Sequence, residues 1–192
     1  MVIALKTLIE VPATLAAFTN IYLAARNNIW NWLFGIFAVI LYGIIFYTTR
    51  LYGDMTLQAV YLFFQFYGWH QWKHGGDHAA LLSVTRMPAS QYYLLTPILF
   101  ILFGIFYFLL SHYTNSTTPV IDAFTTALSL IAQWMFCRKW LENWWLWILL
   151  DCVSLYMYSY KHLYLTTGLY AVFIVLCVMG YREWRKAVCD KS

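Results

Sequence analysis

Charge is what this chain most lacks. Only 10% of its 192 residues are Asp, Glu, Lys or Arg, against about 25% in an ordinary soluble domain. That is too little polar surface to cover a water-soluble globule, so the chain belongs to the membrane class before any motif is read. Its net charge of +4 is small and dispersed, and without a Lys/Arg run no nucleic-acid partner is expected. Cysteine is scarce as well. Cys137, Cys152, Cys177 and Cys189 are scattered with no CxxC pair, which argues against a disulfide framework or a thiolate metal site and leaves them as small apolar fillers. Catalytic signatures are missing: there is no GxSxG, P-loop or HExxH. Neither an enzyme nor a self-contained ATP-driven pump is expected, and no cofactor. A signal peptide is not expected either, because Ala16 and Ala17 fall inside the first apolar stretch rather than after it.

What the chain has in abundance is apolar residues, 62% of the total. A spanning helix needs roughly 20 of them in succession. Seven segments qualify, at about 8–25, 30–48, 55–72, 91–110, 120–137, 143–160 and 165–181. Seven spans put the termini on opposite sides. Arg26, Lys73, Arg86, Arg138, Lys139, Arg182, Arg185, Lys186 and Lys191 share the C-terminal side; only Lys6, Arg50 and Lys161 share the other. This asymmetry predicts a cytoplasmic C-terminus and an external N-terminus.

Sliding the chain on itself by 112 residues, the offset from Arg26 to Arg138, aligns further pairs without a gap. Asn31-Trp32 meets Asn143-Trp144, Leu51-Tyr52 meets Leu163-Tyr164, Gly68 meets Gly180 and Trp72 meets Trp184. Spans 1–3 thereby map onto spans 5–7, with span 4 left over. Three spans and a linker return the chain to its starting side, so the repeats share one orientation, an arrangement known among transporters. The expected fold is all-α, with a first repeat at 1–73, a loop and linker helix at 74–112, and a second repeat at 113–192.

Polar groups inside spans are costly and are functional candidates by default. Asp151 lies nine residues beyond Glu142 at the start of span 6, about 13 Å deep in a ~30 Å core. Trp140, Trp144, Trp147, Asp151 and Tyr158 share one face of that helix. An aromatic wall beside a carboxylate suits an aromatic, cationic solute. Trp140 and Trp144 also have a reading as interfacial anchors. Asp54, Gln58, Tyr61, Gln65, Trp69 and Trp72 form a second stripe on span 3, where Gln58 and Gln65 either line the cavity or cross-link helices. On span 5, Asp122 reads equally as an N-terminal cap or a ligand, Ser129 as a small packing residue, and Gln133 as a site candidate. His70, His74 and His78 have helical spacing, but Gly75-Gly76 interrupts them and no Cys or carboxylate completes a set, so no metal is expected.

With these residues in view, the chain resembles the PnuC family of bacterial vitamin transporters over most of its length. The segment from Arg138 through Trp140, Glu142, Asn143, Trp144 and Trp147 to Asp151 looks like the family's WxxWxxx(N/D) element and its lead. Phe34-Gly35, Tyr42-Gly43, Leu51-Tyr52, Leu57-Gln58 and Tyr67-Gly68-Trp69 provide a second match. The resemblance implies a 3+1+3 fold like the SWEET sugar transporters, a homotrimer in the bacterial inner membrane, and uncoupled facilitated diffusion. Trapping by a cytoplasmic vitamin kinase is implied too. The family includes carriers of nicotinamide riboside, thiamine and riboflavin. The nicotinamide riboside branch typically has Asn where this chain has Asp151 and Gln65, and the added charge favours thiamine as the expected substrate, with nicotinamide riboside as the alternative. The expected substrate site comprises Trp144, Trp147, Asp151, Gln58, Gln65, Gln133, Asn143 and Tyr61. The non-transport alternative is a membrane adaptor whose polar residues only join helices.

Overall fold

The computed structural model describes residues 2–76, 81–114, 118–160, 162 and 164–189; of residues 2–7, 52, 165 and 166 only the backbone is described. Its seven helices are α1 (Val2–Ala25), α2 (Asn31–Thr48), α3 (Tyr52–His74), α4 (Ala89–Tyr113), α5 (Pro119–Cys137), α6 (Asn143–Tyr160) and α7 (Tyr164–Cys189). Among the described residues four stretches are long and apolar enough to cross a membrane on composition alone: Leu8–Ala25, Asn31–Thr48, Ala89–Tyr113 and Pro119–Cys137. The helices α3, α6 and α7 are not in that group. Gln58, Gln65 and His70 dilute α3, Asp151 and several Tyr dilute α6, and the basic end Arg182–Lys186 dilutes α7.

Helix ends explain the turns. Asn27 N donates to Ala24 O (2.9 Å) and Asn28 N to Leu23 O (2.9 Å), the reverse-turn cap that satisfies the last carbonyls of a helix. Asn27 is left-handed, at φ 54°. Residue for residue, 112 positions on, Lys139 N donates to Phe136 O (3.0 Å) and Trp140 N to Met135 O (3.1 Å), with Lys139 also at φ 54°. The turn after α2 has Arg50 at φ 60°, and the turn after α6 has His162 at φ 57°. None of the four is glycine, so each accepts a conformation that side chains disfavour in return for a tight hairpin. Asn31 Nδ2 donates to Asn28 O (2.7 Å) as Asn143 Nδ2 donates to Trp140 O (2.6 Å).

Helix α2 packs on α1 and α3, and α6 on α5 and α7; α1 also meets α7, α3 meets α5, and α4 lies on α5. An aromatic cluster closes the end of the bundle where α1, α3, α5 and α7 finish. It joins Trp32, Trp72, Phe136, Trp144 and Trp184, all 7% exposed or less. Trp32 meets Trp72 edge-on at 5.2 Å between centroids, and Trp144 meets Trp184 edge-on at 5.3 Å. Trp72 Nε1 donates to Phe136 O (3.2 Å) and Trp184 Nε1 to Ala24 O (3.0 Å). The two bonds cross: each runs from one half of the chain to the other.

The segment 81–88 lies along the α5–α6 turn. Thr85 N donates to Lys139 O (3.1 Å) and Leu141 N to Thr85 O (2.9 Å). Met87 N donates to the Glu142 carboxylate (2.8 Å) and Lys139 Nζ to Leu82 O (2.8 Å). The loop before α4 is thus strapped to the bundle from Leu82 onward.

Candidate functional site

Pro119 at the first position of α5 sets that helix on its course, since proline has no N–H to lose there. Below it Thr125, Thr126 and Ser129 point toward α6, whose residues Trp147, Leu150, Asp151 and Ser154 face them, and Tyr170 of α7 completes a cleft of about 210 Å³. Asp151 is 8% exposed. Cys177 of α7 donates its thiol to Asp151 Oδ2 at 3.5 Å, a weak hydrogen bond. Among the described residues no Lys, Arg or His lies within ion-pair distance of Asp151. A carboxylate so placed costs several kcal/mol unless water or a cation meets it. Tyr61 of α3 reaches across and donates its hydroxyl to Ser129 Oγ at 2.5 Å, tying the cleft wall to the other half of the bundle.

Of the expected site residues, Trp147 and Asp151 line this cleft and Tyr61 buttresses it. Trp144 stands elsewhere: it is 2% exposed and its ring lies over Gly180, where a Cβ would fall 2.5 Å from the indole. Three residues of separation put it about 60° from Trp147 on the wheel, enough to turn it into the aromatic cluster. Asn143 is fully buried and spends its amide on Trp140 O. Gln65 is buried beside Gly35 and Asn20, and its Oε1 has no partner among the described residues. Gln133 is buried on α5 and Gln58 half-buried on α3, both outside the cleft lining. The His70 and His74 rings lie 4.8 Å apart, tilted by 37°; His78 lies outside the described residues, and among the described residues no group of three His, Cys, Asp or Glu could hold a metal ion.

Sequence reasoning passed over Thr125, Ser154 and Tyr170. Ser154 follows Trp147 and Asp151 at i+7 and i+3 on one face of α6, a stripe the wheel contained. Tyr170 is the residue 112 positions after Gln58, so the offset itself pointed to it. In the first half Thr14 and Tyr42, counterparts of Thr126 and Ser154, hydrogen-bond to each other at 3.1 Å, and Gly35 stands where Trp147 stands in the second half.

A seven-helix apolar bundle around a polar, aromatic-walled cleft is the architecture of a membrane transporter of small solutes. The family model for the nicotinamide mononucleotide transporter matches residues 7–186. The chain belongs to that family, whose members are transporters and not enzymes. The nicotinamide riboside transporter PnuC of Escherichia coli (strain K12) is 25% identical over 209 residues, covering 96% of this chain and 87% of that protein. The nicotinamide riboside transporter PnuC of Neisseria mucosa is 30% identical over 190 residues, covering 92% of this chain and 72% of that protein. The crystal structure of the vitamin B3 transporter PnuC matches with a TM-score of 0.74 at 23% identity, covering 100% of this chain and 90% of that one; the two share a fold.

Proposed function

We propose that this protein carries nicotinamide riboside across the bacterial inner membrane by uncoupled facilitated diffusion. The observation that carries the reading is Asp151: a buried carboxylate beside Trp147, with no cation within ion-pair distance among the described residues, in a cleft walled by hydroxyls. A positively charged aromatic ring supplies both the missing charge and a stacking face. The names of the relatives favour nicotinamide riboside over the thiamine expected from Asp151 alone. Thiamine remains the second reading, because its thiazolium and aminopyrimidine also satisfy a carboxylate. The cleft, at about 210 Å³, is below the ~300–1,000 Å³ of typical ligand sites. It therefore fits one ring, and the remainder of the solute needs space that opens between the halves.

The finer architecture belongs to the same proposal. The crossed bonds Trp72–Phe136 and Trp184–Ala24 and the repeated turns support a 3+1+3 arrangement with two parallel units at 1–73 and 113–192. Seven spans rest on the apolar run lengths, and a cytoplasmic C-terminus on the Lys/Arg asymmetry between the two sides. The exposed outer face of α4, with Tyr93, Phe100, Ile101 and Phe108, leaves a surface for lipid or for the neighbouring copies of a trimer. Trapping by a cytoplasmic kinase goes with uncoupled transport. Titration of the purified protein with nicotinamide riboside, thiamine and riboflavin tests the substrate, since a ligand of the folded form raises its melting temperature. Stabilisation by thiamine alone overturns the assignment. Liposome uptake that equilibrates and stops supports the uncoupled mechanism; accumulation driven by an imposed proton or sodium gradient contradicts it.

A further inference from the structure

A second cavity is larger than the Asp151 cleft. It occupies about 560 Å³ where α1 ends against the last turns of α7, and it is lined by Arg26, Met179, Arg182, Glu183, Arg185 and Lys186. Four cations face one carboxylate. Glu183 bridges Lys186 at 3.2 Å, in an exposed geometry. No Asp or Glu lies within ion-pair distance of Arg26, Arg182 or Arg185 among the described residues. Arg26 lies over the Tyr22 ring at 5.8 Å, which orients its guanidinium.

Packing does not call for this charge. The equivalent crossing, α3 against α5, has His70, Gln71, Lys73 and His74 where α7 has Arg182, Glu183, Arg185 and Lys186. That crossing closes with fewer cations, so the concentration of arginine is a property of the α1–α7 groove and not of the fold.

The groove sits at headgroup level. Trp145, 54% exposed, packs on Tyr181 at 4.9 Å, and Trp30 is 59% exposed at the start of α2; exposed Trp and Tyr mark the membrane–water interface. Deeper along the same two helices, Leu15 and Phe18 of α1 and Val172 and Val175 of α7 are exposed and apolar. We propose that the groove binds an anionic phospholipid, its headgroup phosphate held by Arg26, Arg182 and Arg185 and an acyl chain lying along α1 and α7. Arginine suits the role because its planar fork meets phosphate oxygens two at a time. The transport assignment is not needed for this site.

The full chain in a neutral detergent tests it, read by melting temperature against three probes: short-chain phosphatidylglycerol, phosphatidylcholine of the same chain length, and inorganic phosphate. Phosphatidylglycerol is expected to stabilise saturably, and the other two are not. Arg182→Gln with Arg185→Gln is expected to weaken phosphatidylglycerol by roughly ten- to thirty-fold, while Lys73→Gln, at the same end of the bundle, leaves it unchanged. Equal stabilisation by phosphatidylcholine overturns the proposal, as does a folded double variant that binds like the parent. Stabilisation by inorganic phosphate alone replaces the lipid with a soluble anion and overturns it too. Should the double variant not fold, Glu183→Gln decides: removing the carboxylate is expected to tighten phosphatidylglycerol, and unchanged or weaker affinity overturns the proposal.

Discussion

Trp144 covers Gly180 as Trp32 covers Gly68, each indole packed against a bare glycine of the neighbouring helix. The close approach needs hydrogen in place of a methyl group. Gly180→Ala would put a carbon within 2.5 Å of the Trp144 ring and is expected to destabilise the bundle by about 1–3 kcal/mol, the usual cost of overpacking. A lowered melting temperature, partly restored by adding Trp144→Phe, is the check.

The same contact separates two tryptophans that the sequence presents as equals. Trp144→Ala empties the aromatic cluster, so folded yield and melting temperature are expected to fall before any binding is measured. Trp147→Ala is expected to spare the fold and weaken every aromatic solute. Thermal melts with and without ligand distinguish the two; a Trp147→Ala protein that binds normally would place the solute elsewhere.

Asp151→Asn removes the charge and keeps the shape. The Cys177 contact is weak, so the fold is expected to survive. Binding of a cationic solute should drop by about 1.5–3 kcal/mol, the range for a charge-assisted hydrogen bond. Thiamine should lose more than nicotinamide riboside, since thiamine also has an aminopyrimidine that bonds to a carboxylate. Calorimetric titration of both ligands against parent and variant provides the comparison, and equal affinity for parent and variant would make the carboxylate structural.

Glu142→Gln tests the strap. The bond from Met87 N to the carboxylate is charge-assisted at 2.8 Å. Its loss should raise hydrogen exchange at Met87 and Thr85 without altering the helices, and unchanged exchange would mean that the Lys139–Leu82 bond and the Thr85 pairing hold the segment alone.

Much of this was legible in the sequence because it is periodic. Apolar run lengths located seven helices to within a few residues, although α1, α3, α4 and α7 each extend beyond the expected span. The offset between Arg26 and Arg138 anticipated turns that repeat down to a shared φ. The depth of Asp151 and its i−4 relation to Trp147 marked the cleft. What the wheel could not resolve was which edge of a broad face a residue occupies: Trp144 and Trp147 share an angle range yet serve packing and cleft respectively. Gln65 and Gln133 lie outside the cleft lining for a related reason, since depth says that a polar group is costly but not which neighbour, Gly35 or a cavity, stands beside it. The strap was invisible because every one of its hydrogen bonds has a backbone group on at least one side, and a backbone group carries no residue signature.

The crossed indole bonds have a consequence for how the protein is made. Trp72 must wait 64 residues for Phe136, and Ala24 must wait 160 for Trp184. During synthesis the first three helices therefore enter the bilayer with the Trp72 indole donor unmet and with the Ala24 carbonyl, already bonded to Asn27 N, still short of its second donor at the same end. The last helix fastens both halves, much as the final stitch closes a seam. Chains interrupted before that helix lack the Trp184–Ala24 bond and are left open at that end.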